Sequence, residues 1–329
     1  MRLRSGVAID LGTVNTLVYV AGRGIVIDEP TAIAISRGTG EVVSVGLPAD
    51  ALTGKDPQGI DVVHPLHDGV IADLDAAVAM LQAFVRRAQV RRRLAKTVAV
   101  VCLPVEATDV ERRSVIAAIA SLRPRCLIRL VEEPVAAAAG SGIDLLAGSG
   151  AFVVDIGGGT TDIAVLAGGH LVRARSLRLG GDAMDDAVAR AVKTEYGLLI
   201  GRNAARSLKM TLGLAEGTLA EAETVGVDAA ARTPRTQRVS ARLVADAIEP
   251  TVASITATVR EMLSDIPPNL AEEVVRSKIR LSGGGALLPG LAYRLEASAD
   301  IATVVVDDPL RCVIRGTAQI LEQGTGAPI

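Results

Sequence analysis

The chain has 329 residues, 49% of them hydrophobic, which is enough for two domains or for one large bilobed domain. Its formal net charge is −2, and this balance excludes a partner bound through overall charge, such as nucleic acid. Aromatic residues make up only 2% and Trp is absent, so the core must consist of Ala, Val, Leu and Ile.

A strand, an acid, a glycine-containing turn and a second strand follow one another near the N-terminus. Apolar residues 7–9 lead to Asp10, residues 17–20 form the second strand, and the turn between them contains Gly12, Thr13, Val14 and Asn15. An acid at the end of a strand can hold a cation beside an anion bound by the turn, directly or through water. Further short strands are predicted at 25–27 and 32–35.

The next stretch, residues 36–68, is polar and interrupted by Gly and Pro, with one strand-like run at 42–45. This composition indicates a small substructure that projects from the first of two lobes. Apolar spacing predicts a helix from about residue 74 to residue 87. The basic loop after it, residues 90–96 from Val90 to Lys96, has two interpretations: a solvated loop, or a surface for anionic lipid.

Alternating strands and helices predict a parallel sheet in the following segment. A buried strand at 97–103 is followed by a capping box at 108–111, which begins a helix. A second strand at 126–131 leads to Glu133 at the start of an Ala-rich helix. This alternation implies parallel strands joined by right-handed crossovers.

The pattern of strand, acid, glycine turn and strand occurs again at residues 151–166. Asp155 ends the first strand, and the turn contains Gly157, Gly158, Gly159, Thr160 and Thr161. Glycines let backbone N–H groups approach an anion closely. One copy is equally typical of a plain hairpin turn, but two copies about 145 residues apart suggest two similar halves that face each other across one phosphate and one metal.

The remaining sequence predicts a long strand at 170–179, helices at 183–196 and 203–212, and a second polar excursion at 213–239. A helix at 241–263 crosses Pro250, which predicts a kink or a split.

A third glycine turn follows a short strand at 279–281 and contains Gly283, Gly284 and Gly285. A Ser precedes it, so it suits an adenine or ribose lying against bare backbone. A last strand at 304–306 and a C-terminal helix ending near 323 complete the chain. None of the three turns has the Gly-Lys-Ser/Thr of a P-loop or a dinucleotide fingerprint.

The three turns together resemble those of the actin, sugar-kinase and chaperone-ATPase superfamily. The motifs are Ile9-Asp-Leu-Gly-Thr13, Val154-Asp-Ile-Gly-Gly-Gly-Thr-Thr161 and Leu281-Ser-Gly-Gly-Gly285. Longer stretches are similar to the bacterial actins of the MreB and Mbl type, among them Asp68-Gly-Val-Ile-Ala-Asp73, Glu132-Glu-Pro-Val-Ala-Ala-Ala138 and Gly180-Gly-Asp-Ala-Met-Asp-Asp-Ala187. This resemblance runs in register from about residue 6 to residue 322.

The resemblance implies an α/β fold of two duplicated ribonuclease-H-like lobes, the actin-like ATPase fold, with a nucleotide cleft between them. Each lobe is expected to carry a small inserted subdomain. The first lobe would span 1–140, with a core of 1–30 and 69–140 and a subdomain at about 31–68. The second would span 141–314, with a core of 141–180 and 240–314 and a subdomain at about 181–239. A C-terminal helix at about 315–329 could pack back on the first lobe.

The resemblance also implies sites for ATP and Mg²⁺. Asp10 and Asp155 would hold Mg²⁺ through water. Glu133 matches the residue that orients the attacking water, with Thr160 beside it; on sequence alone, Glu133 can also be a first-turn acid that complements the helix dipole. The residues that would bind the nucleotide are Thr13, Val14, Asn15, Gly157, Gly158, Gly159, Thr161, Gly181, Lys209, Gly283, Gly284 and Gly285.

Two places depart from the family pattern. The nucleoside-contact helix usually reads Glu-Arg-Ile-Lys, and here it reads Arg206-Ser-Leu-Lys209. Lys209 is retained, but Arg206 stands where an acid near the ribose is expected, which leaves nucleotide affinity and base preference open. The loop at 90–96 lacks the paired bulky apolar residues that the family often shows. The sequence therefore supports membrane attachment less strongly than it supports filament formation.

The implied function is a cytoskeletal protein that slowly hydrolyses ATP, polymerises head to tail and works with cell-wall synthesis or morphogenesis proteins. The expected location is cytoplasmic, at the inner face of the membrane, because the sequence predicts neither a signal peptide nor an apolar run of the roughly 18 residues of a membrane span. A small-molecule kinase or phosphatase of the same fold is the alternative. A chaperone-type ATPase is disfavoured, since no peptide-binding domain follows the ATPase core.

Overall fold

The computed structural model describes residues 6–55, 57–88, 97–122, 126–145, 150–214 and 219–323. The strands within these ranges are β1 (Gly6–Leu11), β2 (Asn15–Val20), β3 (Gly24–Pro30), β4 (Ile33–Ser36), β5 (Val42–Val45), β6 (Ile60–Val63), β7 (Leu66–His67), β8 (Val70–Ile71), β9 (Val98–Leu103), β10 (Leu127–Glu132), β11 (Gly150–Ile156), β12 (Thr161–Ala167), β13 (His170–Leu177), β14 (Leu198–Leu199), β15 (Glu221–Asp228), β16 (Pro234–Ser240), β17 (Ile279–Ser282) and β18 (Thr303–Val305). The helices are α1 (Leu47–Asp50), α2 (Leu74–Arg87), α3 (Asp109–Leu122), α4 (Glu133–Gly140), α5 (Gly181–Tyr196), α6 (Arg202–Leu212), α7 (Ala241–Ser264), α8 (Pro268–Ser277), α9 (Leu291–Ala299) and α10 (Cys312–Gln323), with short 3-10 turns at Gly284–Leu287 and Pro309–Arg311.

Two five-stranded sheets with the same connectivity form the frame of the molecule. The first has the order β10-β9-β1-β2-β3, and the second has the order β18-β17-β11-β12-β13. In each sheet an antiparallel meander of three strands is extended on one side by two parallel strands. This repeat confirms the predicted α/β fold of two duplicated halves.

Each half also contains a small three-stranded sheet. β4, β5 and β6 form one, and β14, β15 and β16 form the other. The first sheet lies within the subdomain predicted at about 31–68, and the second lies within the one predicted at about 181–239 except for Ser240 at the end of β16. Strand β6 and helix α1 were not predicted, because their short runs lie among Gly, Pro and charged residues. The exact lobe boundaries stay predictions.

Helix α7 continues through Pro250 as a single helix, so of the two outcomes predicted for this position, a kink or a split, the split is excluded. Buried Ile248, Thr251 and Val252 lie on either side of the proline and keep the helix packed. Pro250 itself and Asp246, whose carbonyl loses its partner, are exposed. Water can therefore satisfy that carbonyl, and packing of the apolar face outweighs the lost hydrogen bond.

Helices α4 and α10 pack between the two large sheets. Ala136, Ala137 and Ala138 of α4 share a core cluster with residues of β9, β11, β12 and α10. A Cβ added at Gly316 would lie 1.7 Å from the carbonyl oxygen of Ala136, and one at Gly140 would lie 1.9 Å from that of Cys312. The helices thus cross backbone against backbone, which explains the small residues of α4. Helix α10 also contacts β1 and β9 of the first sheet.

Candidate functional site

A cavity of about 380 Å³ lies between the two halves, at the ends of β1 and β11. Most residues that the sequence singled out line it: Asp10, Thr13, Val14, Asn15, Glu133, Asp155, Gly157, Gly158, Gly159, Thr160, Gly181, Lys209, Gly283, Gly284 and Gly285. Thr161 does not line it, because its fully buried hydroxyl donates a hydrogen bond to the Leu179 carbonyl at 2.7 Å.

The two predicted hairpin turns have the same local geometry. Gly12 N–H donates to the Asn15 carbonyl at 3.1 Å, and Gly157 N–H donates to the Thr160 carbonyl at 2.8 Å. Each turn begins two residues after an acid, Asp10 or Asp155. The sequence repeat therefore corresponds to a structural repeat, with one copy on each wall of the cleft.

Glycines are required where the two turns approach each other. A Cβ added at Gly158 would lie 2.1 Å from Cγ2 of Val14, and one at Gly159 would lie 2.7 Å from Cα of Asp68. The two turns therefore meet across the cleft with no room for a side chain on the second one.

The turn Asp68–Gly69 closes the cleft from a third side. Both residues have positive φ, at 48° and 78°, as a tight turn between β7 and β8 requires. Gly69 N–H donates to Oγ1 of Thr13 at 2.9 Å, and Gly69 also lines the cavity. The sequence contained Asp68-Gly69 within a family motif, but nothing local indicated that it lies beside the glycine turns.

Asp10 and Asp155 are acids in an unfavourable electrostatic environment. Burial, followed by the charges of Asp155 and Asp28, raises the pKa of Asp10 to about 7. Burial also raises the pKa of Asp155 to about 6, although the Ser282 hydroxyl donates to its Oδ1 at 2.5 Å. A cation close to both carboxylates would relieve the burial penalty and their mutual repulsion.

This pair fits Mg²⁺, which prefers oxygen ligands and keeps several waters. Among the described residues, no group of three or more His, Cys, Asp and Glu side chains could hold a metal. Asp10 and Asp155 could hold the ion through its bound waters, and phosphate oxygens could take its remaining positions.

Glu133 is the first residue of α4 and faces the same cavity. Burial raises its pKa well above the ordinary range, and the charges of Asp162, Asp10 and Asp155 raise it further. Glu132, the residue before it, caps the helix without a side-chain hydrogen bond. Glu133 therefore points into the cleft, whereas a purely helix-stabilising acid would face solvent.

The N-terminus of α5 packs on the second glycine turn. Gly181 N–H donates to the Gly157 carbonyl and Asp182 N–H donates to the Gly158 carbonyl, both at 2.9 Å. Lys209 of α6 donates from Nζ to the Gly181 carbonyl and pairs with Asp185, both at 2.7 Å. Burial lowers the pKa of Lys209 despite this partner. Lys209 thus holds Gly181, and Gly181 holds the N-terminus of α5 against the second glycine turn.

Arg206 lines the cleft as part of an ion-pair network between α5 and α6. Its Nε lies 3.1 Å from Oδ2 of Asp185, and its Nη2 lies 3.2 Å from Oδ1 of Asp182. Asp185 is only 1% exposed. The arginine therefore neutralises two acids of α5, a role that the sequence did not reveal.

The third glycine turn follows β17 and lies against the end of β11. Gly283 has φ 80°, and a Cβ there would lie 2.3 Å from the Ile156 carbonyl. Four apolar residues also line the cavity: Met210, Leu287, Leu288 and Leu310. The sequence missed these residues because single apolar side chains at helix ends give no local signal.

The loop at residues 90–96 lies outside the described residues. In the part of the chain that the structure describes, no helix combines the length and the apolar character that crossing a membrane requires.

A family model described as MreB/Mbl protein matches residues 4–327. The chain belongs to the MreB/Mbl family. The cell shape-determining protein Mbl of Bacillus cereus is 36% identical over 318 residues, which cover 96% of this chain and 95% of that protein. The cell shape-determining protein MreB of Escherichia coli K12 is 38% identical over 322 residues, covering 96% and 92%. The chain is therefore an actin-like cytoskeletal protein.

Solved structures agree with this MreB/Mbl assignment. MreB 5 of Spiroplasma citri bound to AMPPNP has a TM-score of 0.90 at 31% identity, covering 98% of this chain and 97% of that one. The same protein bound to ADP also has a TM-score of 0.90. The MamK double helical filament has a TM-score of 0.82 at 22% identity over 97% of this chain and 99% of that one, and shows the fold alone. The actin-like fold is thereby confirmed.

Proposed function

We propose that this chain binds ATP in the cleft between its two halves, hydrolyses it slowly and assembles head to tail into filaments. The observation that carries this proposal is the pair of acid-ended turns that meet at Gly158 and Val14. Such a pair can hold a polyphosphate from two sides, with Asp10 and Asp155 beside it. The binding of AMPPNP and ADP by MreB 5 of Spiroplasma citri supports the same ligand class here.

Phosphate binding is assigned to the two turns. Gly12 N–H and Gly157 N–H are used within their own turns, so the donors are the N–H groups that follow, from Thr13 to Asn15 and from Gly158 to Thr160. The nucleoside would lie at the other end, against Gly283 to Gly285 and the apolar wall. Gly181 supports this arrangement through its hydrogen bond to the Gly157 carbonyl of the second turn, and Lys209 holds Gly181.

Hydrolysis is assigned to Glu133, with Thr160 beside it. Transfer of a phosphoryl group to water depends mainly on positioning and on neutralising charge. Mg²⁺ held through water by Asp10 and Asp155 would neutralise charge on the phosphates. Glu133 orients the attacking water through a carboxyl oxygen, and the packing of α4 between the sheets keeps that oxygen fixed. A single orienting acid accounts for slow turnover.

The proposal divides the chain into a first lobe at 1–140 and a second at 141–314, with small subdomains at about 31–68 and 181–239. Head-to-tail contacts that do not close into a ring give filaments. The filaments would lie at the inner membrane face and guide cell-wall synthesis, as the family resemblance implies.

Calorimetric titration with ATP and Mg²⁺, together with a phosphate-release assay, tests the nucleotide part. Saturable ATP binding and slow phosphate release are expected, and absence of binding would contradict the proposal.

Liposome flotation tests the proposed attachment to the membrane. Replacing Arg91, Arg92, Arg93 and Leu94 by Ser should reduce flotation with anionic lipid, and equal flotation of both proteins would contradict a membrane role for this loop.

A further inference from the structure

Thr31, between β3 and β4, is bonded to two carbonyl groups of the first glycine turn. Its backbone N–H donates a hydrogen bond to the Val14 carbonyl at 2.8 Å, and its hydroxyl group donates to the Gly12 carbonyl at 2.7 Å. Thr31 is 0% exposed and is not among the residues that line the cavity. A residue outside the cleft therefore fixes two peptide groups of a turn that borders it.

These two bonds set the direction of the N–H groups that belong to the same peptide groups. In a planar trans peptide the C=O and the N–H point in opposite directions. The Gly12 carbonyl shares its peptide group with the Thr13 N–H, and the Val14 carbonyl shares its peptide group with the Asn15 N–H. Because both carbonyls point at Thr31, both N–H groups point away from it. Thr13 and Asn15 line the cavity, so these N–H groups are directed at the side where the phosphates would lie.

The hydroxyl group of Thr31 has one proton, and its neighbours determine where that proton lies. The Gly12 carbonyl can only accept, so the Thr31 proton is directed at it. Oγ1 of Thr16 lies 2.9 Å from Oγ1 of Thr31, and Thr16 must therefore donate to Thr31. Both threonines are 0% exposed, where a hydroxyl group without a partner is costly. The Thr16 hydroxyl thus keeps the Thr31 hydroxyl aimed at the turn.

Thr31 also lies where the chain enters the small sheet of the first half. β3 belongs to the large sheet and β4 to the small one. His64 follows β6, where the chain leaves the small sheet. The Thr31 carbonyl lies 3.2 Å from Nδ1 of His64, and because a carbonyl only accepts, Nδ1 carries the ring proton. This hydrogen bond ties the entry of the small sheet to its exit.

We propose that Thr31 is a positioning residue for phosphate binding. Its bonds to the Gly12 and Val14 carbonyls direct the N–H group of each peptide at the phosphates. Its bond to His64 makes this direction depend on the position of the small sheet. Phosphate binding and the position of the small sheet are then linked, so that each affects the other. This role rests on the proposed binding of ATP in the cleft.

Two valine substitutions test the role of Thr31 on the full chain. Thr31→Val keeps the shape and the backbone N–H but removes the hydroxyl group that holds Gly12. Its Kd for ATP with Mg²⁺ should rise about tenfold or more, as for the loss of one hydrogen bond to a charged group, measured by calorimetry. Thr16→Val is the matched control, because it removes an equally buried hydroxyl group that does not hold the turn. Its Kd, and that of Thr31→Ser, which retains the hydroxyl group, should stay close to the wild-type value.

Binding of adenosine separates positioning from a general loss of structure. Adenosine has no phosphates, so Thr31→Val should leave its Kd unchanged, as measured by NMR titration. Thr31→Val and Thr16→Val should both lower the Tm, because each breaks the buried pair of hydroxyl groups. The proposal would be overturned if Thr31→Val weakened adenosine binding as much as ATP binding, or if Thr16→Val raised the Kd for ATP by the same factor.

His64→Phe tests the link to the small sheet. Phe keeps a ring but has no donor for the Thr31 carbonyl, so the Kd for ATP should rise, by less than in Thr31→Val because the bonds to the turn remain. Thr53→Ala is the control, because Thr53 bonds the other ring nitrogen, Nε2, at 3.2 Å. It should leave the Kd unchanged. Equal Kd values for His64→Phe and the wild type would contradict the link.

The wild type shows whether the proposed function or this inference has failed. If the wild type binds ATP and Thr31→Val binds it equally well, the role of Thr31 is overturned and the proposed function stands. If the wild type binds no ATP, the proposed function is contradicted, and the role of Thr31 falls with it.

Discussion

Gly158 and Val14 bring the two halves of the cleft into contact: a Cβ at Gly158 would lie 2.1 Å from Cγ2 of Val14. The two residues belong to corresponding turns of the two large sheets. Their contact fixes the separation of the turns, and therefore the space in which a polyphosphate can lie. A glycine at 158 is what allows this separation to be so small.

Gly158→Ala should weaken ATP binding, because the new methyl group pushes the turns apart. Overpacking of about 1–3 kcal/mol corresponds to roughly a 5- to 150-fold rise in the Kd for ATP, which calorimetry can measure. Val14→Ala removes Cγ2, so the double variant Gly158→Ala, Val14→Ala should recover part of the affinity. Unchanged affinity in Gly158→Ala, or no recovery in the double variant, would show that the contact between Gly158 and Val14 does not determine the affinity for ATP.

Glu133→Gln should reduce phosphate release by about 100-fold or more, in the range of a lost catalytic carboxyl group, while ATP still binds. Glu132→Gln is the control, because Glu132 precedes α4 and pairs at 3.7 Å with Arg112 at the protein surface. It should release phosphate at close to the wild-type rate. Equal rates for Glu133→Gln and the wild type would remove Glu133 from the mechanism.

Stability in the absence of nucleotide and Mg²⁺ should fall as pH rises from about 4 to about 7. The folded protein raises the pKa of Asp10 from 3.8 to about 7 and that of Asp155 to about 6. Across this window the folded state therefore binds more protons than the unfolded state, and removing protons favours unfolding. Asp10→Asn should make the Tm less dependent on pH, as measured by thermal melting between pH 4 and pH 8.

Asp61→Asn serves as the control for this pH dependence, since Asp61 is a surface acid paired with Arg37 at 2.7 Å and 56% exposed in its side chain. It should leave the slope of Tm against pH almost unchanged. A slope in Asp10→Asn equal to that of the wild type would show that Asp10 is not the titrating group.

Arg206→Glu, which introduces the acid that the family pattern leads one to expect, should destabilise this chain. The new carboxylate would lie beside Asp182 and Asp185 and remove a partner from buried Asp185. The expected loss is about 1–3 kcal/mol in the free energy of unfolding, the range for hydrogen bonds to charged groups, measured by urea denaturation. Arg242→Glu, which breaks a surface pair with Asp246 at 3.6 Å, should have a much smaller effect. A stable Arg206→Glu variant would contradict the role of Arg206 in the network.

The sequence predicted most of the site, because its glycine turns combine a local backbone requirement with an acid at a strand end. Asp10, Asp155 and the glycines of both hairpins could be found in this way. Thr161 could not be separated from the lining residues, since only the structure shows its hydroxyl bonded to the Leu179 carbonyl. The choice between a kink and a split at Pro250 could not be made from the sequence, because local sequence does not report how strongly the apolar face of α7 packs.

Contacts between distant parts of the chain were the least predictable. Asp162 and Val105 are separated by 57 residues, and Arg206 and Asp182 by 24. No pattern of local spacing connects such pairs. The same holds for the crossing of α4 and α10, where Gly140 and Gly316 let the two helix backbones pack directly against each other.

Sedimentation of the purified full chain with ATP and Mg²⁺, with ADP and Mg²⁺, and without nucleotide tests the central claim most directly. The account predicts that the protein pellets with ATP, that pelleting is weaker without nucleotide, and that Gly158→Ala removes the difference. A protein that stayed in the supernatant at high concentration with ATP, yet transferred phosphate to a small metabolite, would contradict the filament-forming ATPase and support the small-molecule kinase.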